Sequence, residues 1–120
     1  MKKRVMVVDD SRVMELQIRR LLEGSEFEVA AYCENGEEAI SRYGEVQPDI
    51  VTMDIIMPGI DGLETARIIL EEHPEARIVM VSSLAHDDSI HEASDIGAKS
   101  FLYKPIVKEE LLRALDEAMA

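Results

Sequence analysis

The sequence predicts an α/β fold in which five parallel strands, each followed by a helix, form one doubly wound sheet. Short apolar runs rich in β-branched residues alternate five times with stretches of helical period. Several of these runs are almost continuously apolar, which is typical of strands covered by helices on both faces. The chain has 120 residues, 47% of them hydrophobic, and this matches a single domain over residues 1–120.

The apolar runs give the positions of the strands. We predict strands over Arg4–Val8, Glu28–Tyr32, Asp49–Met53, Arg77–Ser82 and Lys99–Tyr103. The first, third and fourth are nearly continuous in apolar residues, as strands buried on both faces should be. With short connections and right-handed crossovers, all five carboxyl ends lie at the same edge of the sheet.

Capping signals mark where the first three helices begin. Each signal is a short polar residue that can accept a backbone N–H, and in two cases Glu follows three positions later, as in a capping box. These residues are Ser11, Asn35 with Glu38, and Asp61 with Glu64. Gly24 stands where a residue of left-handed conformation would end helix one, just after Glu23.

The last two helices differ in how firmly their apolar residues anchor them. Helix five, about 108–119, has an apolar stripe at helical spacing. The stripe consists of Leu111, Leu115, Ala118 and Met119. Helix four, about His86 to Ile96, offers only Ile90 and Ala93 as clear core candidates. An ordinary exposed helix explains this pattern, but weak anchoring is also typical of an element that moves in a switch.

Charge and cysteine content exclude several function classes. The chain has 25 acidic and 13 basic residues, and its net charge of -12 repels nucleic acid backbones and acidic membrane surfaces. It has no apolar run long enough to span a membrane and no secretory signal pattern, so we expect a cytoplasmic protein. The single cysteine, Cys33, suits a small buried hydrophobe better than a reactive thiol.

Polar residues follow four of the five predicted strands. They are Asp9 and Asp10 after strand one, Asp54 after strand three, Ser82 at the end of strand four, and Lys104 with Pro105 after strand five. Taken singly, each is an ordinary cap or turn residue. Together they stand at equivalent strand ends, where open α/β sheets place their binding sites.

Three clustered carboxylates need a positive partner. Two unit charges about 4 Å apart repel by roughly 4 kcal/mol at an effective dielectric constant near 20. Either a proton or a cation must therefore join them. An all-oxygen set without His or Cys favours Mg²⁺, which commonly serves phosphoryl chemistry. Asp54 is then a candidate nucleophile, and Lys104 and Ser82 are candidates to bind phosphate oxygens.

The segments "VMVVDDSR", "PDIVTMDIIMPGIDGLE", "RIVMVSS" and "GAKSFLYKPI" resemble the receiver domain of bacterial two-component response regulators, the CheY-like family. The resemblance extends over essentially the whole chain. It implies a flavodoxin-like (βα)₅ fold with strand order 2-1-3-4-5. It also implies a signalling domain that assists its own phosphorylation and dephosphorylation, without turnover of a separate substrate.

The resemblance assigns roles to individual residues. It implies the phosphoacceptor Asp54, the metal-binding pair Asp9 and Asp10, a metal-binding backbone carbonyl at Ile56, the phosphate-binding Lys104, and the switch residues Ser82 and Phe101. The Lys104–Pro105 bond matches the family's cis peptide. Tyr103 is a weaker rival for the role of Phe101, and ordinary packing on an edge strand also explains Phe101. Ile56 and Leu84 fill positions that tune dephosphorylation, so the lifetime of the phosphorylated state is left open.

The partners implied by the resemblance are proteins. A sensor histidine kinase or a histidine phosphotransfer protein would phosphorylate Asp54, and Lys104 and Ser82 would then gain a partner that they lack at rest. The face formed by helix four, strand five and helix five would rearrange and control a downstream protein. No contact with nucleic acid or membrane is expected. A monomer is expected, with dimerisation on phosphorylation left open.

Two alternatives have different chemistry. A Mg²⁺-dependent phosphohydrolase with an Asp nucleophile would carry Asp-x-Asp after strand one and longer insertions, whereas the doublet here is contiguous and the loops are short. A flavodoxin-like nucleotide or flavin binder would need a glycine-rich phosphate loop, which this sequence lacks. The chain acts either as a single-domain regulator or as the receiver part of a longer response regulator.

Overall fold

The computed structural model describes residues 1–83 and 87–120, with the backbone alone described for 87–89. Its elements are β1 (Lys3–Val8), α1 (Arg12–Leu21), β2 (Phe27–Cys33), α2 (Gly36–Val46), β3 (Ile50–Asp54), α3 (Gly62–Glu72), β4 (Ile78–Ser82), α4 (Asp87–Ile96), β5 (Ser100–Tyr103) and α5 (Lys108–Met119). The strands form one parallel sheet in the order β2-β1-β3-β4-β5. The predicted fold class and strand order are confirmed. His86, the predicted start of helix four, and Leu84 lie outside the described residues.

Each strand differs from its predicted bounds by one or two residues, and the difference matters most in β3. This strand begins at Ile50 and ends on Asp54, which is paired with Val81 of β4. Asp54 is therefore the last residue of a central strand. The sheet itself, more than the following loop, fixes its backbone.

Two apolar cores cover the two faces of the sheet. One core packs against α2, α3 and α4, and the other packs against α1 and α5. Since side chains alternate along a strand, Val51 and Met53 lie in the first core while Ile50 lies in the second. The same alternation places Thr52 and Asp54 on the α1 and α5 side. Among the described helices, none is long and apolar enough to cross a membrane.

The start of α1 differs from its predicted cap. Ser11 occupies the N-cap position, but its side chain makes no capping hydrogen bond. Instead, the backbone N–H of Ser11 donates to Asp9 Oδ1 at 2.8 Å. Asp9, two positions before Ser11, accepts this N–H in an Asx turn, so the entry of the chain into α1 is tied to Asp9. Gly24 has φ +78°, the left-handed conformation predicted for it, but it does not end the helix, because α1 ends at Leu21 with Leu22 as its right-handed C-cap.

The other two caps are as predicted on the N-cap side. Asn35 Oδ1 accepts a hydrogen bond from Glu38 N, and Asp61 Oδ1 accepts one from Glu64 N, both at 2.8 Å. The return bond of a capping box is displaced in α2, where Glu38 Oε1 accepts from Glu34 N at 3.0 Å. These caps fix the starts of α2 and α3, which lie next to each other at the carboxyl edge of the sheet.

Gly62, the first residue of α3, lies directly against the end of β3. Its N–H donates to Ile55 O at 2.7 Å. A Cβ added at this position would lie 2.0 Å from the backbone oxygen of Asp54 and 2.8 Å from Ile55 Cα. These are backbone atoms, which cannot move aside as the end of a flexible side chain can. Only glycine allows α3 to begin this close to Asp54.

We expect Gly62→Ala to lower the free energy of unfolding by about 3 kcal/mol, the upper part of the usual range for overpacking. Gly44→Ala in α2 is the matched control, because the nearest atom to its added Cβ is His73 Cε1 at 3.9 Å. In that open helical position alanine should stabilise the protein by up to about 1 kcal/mol. Urea unfolding of both variants measures the difference. Similar stabilities for the two variants would show that Gly62 is not sterically required.

Candidate functional site

Asp9, Asp10 and Asp54 meet at the carboxyl edge of the sheet, and we call them the carboxylate cluster. One carboxylate oxygen from each lies within 4.8 Å of the other two. The neighbouring strands β1 and β3 pair Val8 with Met53, so the residues that follow are brought side by side. Asp9 and Asp54 are buried, whereas Asp10 is exposed. The structure brings together the three acidic residues that the sequence singled out.

The position of Asp9 is fixed by its backbone and its side chain. Its N–H donates to Cys33 O at 3.0 Å, which extends the pairing of β1 with β2 by one residue. Its Oδ1 accepts the Ser11 N–H described above, which leaves Oδ2 facing the cluster. Cys33 itself is fully buried, and burial raises the pKa of its thiol to about 11. The predicted role of Cys33 as a small buried hydrophobe is confirmed.

Lys104 places its ammonium group against the cluster. Its Nζ lies 3.1 Å from Asp9 Oδ2 and 3.4 Å from Asp54 Oδ1. Its backbone is fixed because its N–H donates to Ser82 O at 2.8 Å. The Lys104–Pro105 bond is cis. The expectation that Lys104 and Ser82 lack partners at rest is therefore wrong, since Lys104 already pairs with two carboxylates and Ser82 is not without a partner either. This internal cation lets two buried carboxylates exist side by side.

The charges of the cluster shift the pKa values within it. Burial, and then the charge of Asp9, raise the pKa of Asp54 to about 6, and Lys104 opposes this shift. For Lys104, burial acts to lower the pKa, but bonding to Asp9 and Asp54 outweighs burial and raises it. Lys104 is thus protonated at neutral pH. The ionised form of Asp54 is disfavoured in the folded protein, so a second cation near it is stabilising.

The donor set fits Mg²⁺. The described residues at this edge offer carboxylate oxygens, which are the ligands that this ion prefers, and Asp10 is open to the water molecules that Mg²⁺ retains. Since Mg²⁺ binds oxygen at about 2.1 Å, two ligands of one ion are at most about 4.2 Å apart. The three oxygens, which all lie within 4.8 Å of one another, are therefore near the spacing that ligands of one ion have. Ile56 lies in the following loop with its side chain exposed, and the role of its carbonyl stays a prediction.

Ser82 and Phe101 lie on the strands beside the cluster. Ser82 ends β4, one residue beyond the partner of Asp54, and is buried. Phe101 in β5 is half-buried and packs on the core under α2, α3 and α4. Its ring lies 5.1 Å from the ring of Tyr103, as expected for residues that share a face. The ring also lines a cavity of about 160 Å³ next to Ile90 and Ala93 of α4. The predicted movement of Phe101 stays a prediction.

Sequence reasoning did not identify Glu37, whose carboxylate contacts the loop after Asp54. Glu37 Oε2 accepts a hydrogen bond from Ile60 N at 3.4 Å. The two residues are 23 positions apart, and an acidic residue in the first turn of a helix is ordinary. No local pattern signals such a contact. It becomes visible only when the starts of α2 and α3 are placed together.

Comparison with known proteins identifies the family. The family model for the response regulator receiver domain matches residues 5–116. A chemotaxis protein CheY from Listeria monocytogenes is 41% identical over 115 residues, which cover 96% of this chain and 97% of that protein. A chain of the CheX-CheY-BeF3-Mg complex from Borrelia burgdorferi has a TM-score of 0.93 at 30% identity and covers 98% of this chain and 90% of its own. The response regulator domain of Thermotoga maritima CheB has a TM-score of 0.90 at 33% identity, covering 99% of this chain and 97% of its own.

The resemblance stated from the sequence motifs is confirmed by these matches. The family model covers nearly the whole chain, and the relatives share its length as well as its fold. CheY-like receiver domains are signalling domains and not classical enzymes. The chain belongs to the response regulator receiver domain family.

Proposed function

We propose that residues 1–120 form a phosphorylation-activated switch of a two-component phosphorelay, with Asp54 as the phosphoacceptor. The observation that carries this proposal is the environment of Asp54. Its buried carboxylate lies beside two other carboxylates and one ammonium group, at the edge where this fold places its sites. The phosphoryl donor is a sensor histidine kinase or a histidine phosphotransfer protein.

The residues of the site have different roles in the phosphorylation step. Asp9, Asp10, Asp54 and the Ile56 carbonyl would hold Mg²⁺, which when bound neutralises phosphate oxygens. A carboxylate oxygen of Asp54 attacks the phosphorus of phosphohistidine. The N–P bond breaks, its electron pair stays on the imidazole ring, and Asp54 becomes an aspartyl phosphate. Water later cleaves this group and restores the carboxylate.

Lys104 and Ser82 turn the new charge into a structural signal. A phosphoryl group carries about 1.5 to 2 negative charges near neutral pH and has several acceptor oxygens. Lys104 already contacts Asp54, so its ammonium group transfers to a phosphoryl oxygen with a short movement. The Ser82 hydroxyl donates to another oxygen, and Phe101 turns inward. These contacts favour one of two arrangements of the α4–β5–α5 face, which a downstream protein recognises.

A solved relative and the charge of the chain support a protein partner. The Borrelia burgdorferi CheY chain was solved in a complex with CheX. The net charge of -12 repels nucleic acid backbones and acidic membrane surfaces. We propose a monomer that contacts neither nucleic acid nor membrane.

The switch is tested by NMR with beryllofluoride and Mg²⁺, which together imitate the phosphoryl group. We expect amide shifts to spread from Asp54 to Phe101 and α4, because the two arrangements of the α4–β5–α5 face exchange populations. Mg²⁺ alone is the control and should shift only residues near the cluster. Beryllofluoride shifts confined to the neighbourhood of Asp9, Asp10 and Asp54 would show a domain that binds but does not signal.

A further inference from the structure

The loop between β3 and α3, residues 55–61, is held firmly at its two ends, and we call it the acceptor loop. Ile55 N donates to Val81 O at 3.0 Å, and Gly62 N donates to Ile55 O at 2.7 Å. Met57 is buried. In the part of the chain that the structure describes, the hydrogen bond from Ile60 N to Glu37 Oε2 joins this loop, near its α3 end, to α2. The acceptor of that bond, Glu37, belongs to α2, whereas the loop itself connects β3 to α3.

The carboxylate of Glu37 also packs on the turn of the acceptor loop. Gly59 has φ +80°, a conformation that other residues rarely adopt. A Cβ added at Gly59 would lie 2.9 and 3.1 Å from the two carboxylate oxygens of Glu37. Next to it, a Cβ at Gly36 would lie 2.9 Å from Ile60 Cγ1. Two glycines therefore let the first turn of α2 approach the loop closely, with Glu37 over the point where the chain reverses.

We propose that Glu37 is a positioning residue that fixes the acceptor loop, and through it the backbone carbonyl of Ile56. This inference rests on the proposed function, in which that carbonyl binds Mg²⁺. The loop has only seven residues and both ends are fixed, so a contact at Gly59 and Ile60 limits where Ile56 can lie. Groups that orient a metal ligand contribute to metal affinity without touching the metal.

Glu38 offers a control for a purely structural effect. It lies in the same first turn of α2, but it bonds to Glu34 N and Arg42 and makes no described contact with the acceptor loop. Removing its carboxylate should weaken the start of α2 and leave the loop in place. Glu37→Gln is a second control, since its amide oxygen can still accept from Ile60 N while the negative charge is lost.

The experiment measures Mg²⁺ affinity by calorimetry and exchange of the Ile60 amide hydrogen by NMR in wild type and three variants. For Glu37→Ala we expect the Mg²⁺ dissociation constant to rise about tenfold, the low end for loss of a group that orients a ligand. The Ile60 amide should lose its protection in this variant. Glu37→Gln and Glu38→Ala should keep both properties close to wild type. In acetyl phosphate labelling, Glu37→Ala should need more Mg²⁺ but reach the wild-type rate at saturation.

Four other outcomes would overturn the inference, and each of them points to a different cause. If Glu37→Gln binds Mg²⁺ as weakly as Glu37→Ala, the carboxylate acts by its charge and not by its bond to Ile60. If Glu38→Ala has the same effect, the cause is the stability of α2. Unchanged Ile60 exchange in Glu37→Ala removes the positioning role while leaving the proposed function intact. Failure of the wild type to bind Mg²⁺ overturns the proposed function and this inference with it.

Discussion

The Asp54→Asn protein is expected to gain no phosphoryl group from acetyl phosphate and Mg²⁺, whereas the wild type gains one. The amide keeps the shape of the side chain but has no anionic oxygen to attack phosphorus. Burial, and then the charge of Asp9, raise the pKa of Asp54 to about 6, so a neutral side chain at this position should make the protein no less stable at pH 7. Mass spectrometry of the intact protein measures the labelling, and circular dichroism verifies the fold.

Asp61→Asn is the matched control for this substitution. Asp61 caps α3 close to the site, and Asn caps a helix as well as Asp does. This variant should label like the wild type. Full labelling of Asp54→Asn would refute the choice of acceptor. Steady release of phosphate from a phosphomonoester by the wild type would instead favour the phosphohydrolase alternative.

The Lys104→Met protein is expected to be less stable than the wild type by about 2 kcal/mol at pH 8 in EDTA. The substitution leaves Asp9 and Asp54 buried without a cation, and removing one partner of a buried pair costs about 3–5 kcal/mol. Lys104 is partly exposed, which reduces this cost. Urea unfolding measures the change.

The pH and metal dependence of this loss identify its cause. Because the pKa of Asp54 is raised in the folded protein, protonation stabilises the fold at low pH, and this stabilisation is lost as pH rises through about 6. The loss of stability in Lys104→Met should therefore be smaller at pH 5 than at pH 8. At pH 8, Mg²⁺ should reduce the loss of stability. Lys99→Met, which removes an exposed lysine, should be nearly neutral. A loss of stability that is the same at both pH values and with or without Mg²⁺ would indicate lost packing and not lost charge.

The sequence sufficed to predict the sheet and the convergence of the carboxylates. Strand positions follow from apolar runs, and in a parallel sheet every residue after a strand lies at one edge. Asp9 and Asp54 therefore had to meet once β1 and β3 were neighbours. That neighbour relation came from the family resemblance, because alternation of strands and helices fixes the direction of the strands but not their order.

Contacts between distant side chains could not be predicted. Lys104 was expected to be unpaired, but it contacts Asp9 and Asp54. These contacts depend on the conformation of its long side chain, which the sequence pattern does not specify. The burial of Glu15 could not be predicted either, for a different reason: a glutamate in an amphipathic helix is expected at the surface. It is fully buried on α1, where Arg12 at 2.9 Å and Arg19 neutralise it from the same helix.

The position of Lys104 also determines which ions can complete the site. Three carboxylates and one ammonium group leave two uncompensated negative charges at this edge of the sheet. Under the proposed function, one divalent ion would bring this edge to electroneutrality, whereas two sodium or potassium ions would have to share a space of a few ångströms. Selectivity for divalent over monovalent ions would then follow from the number of charged groups, independently of coordination geometry.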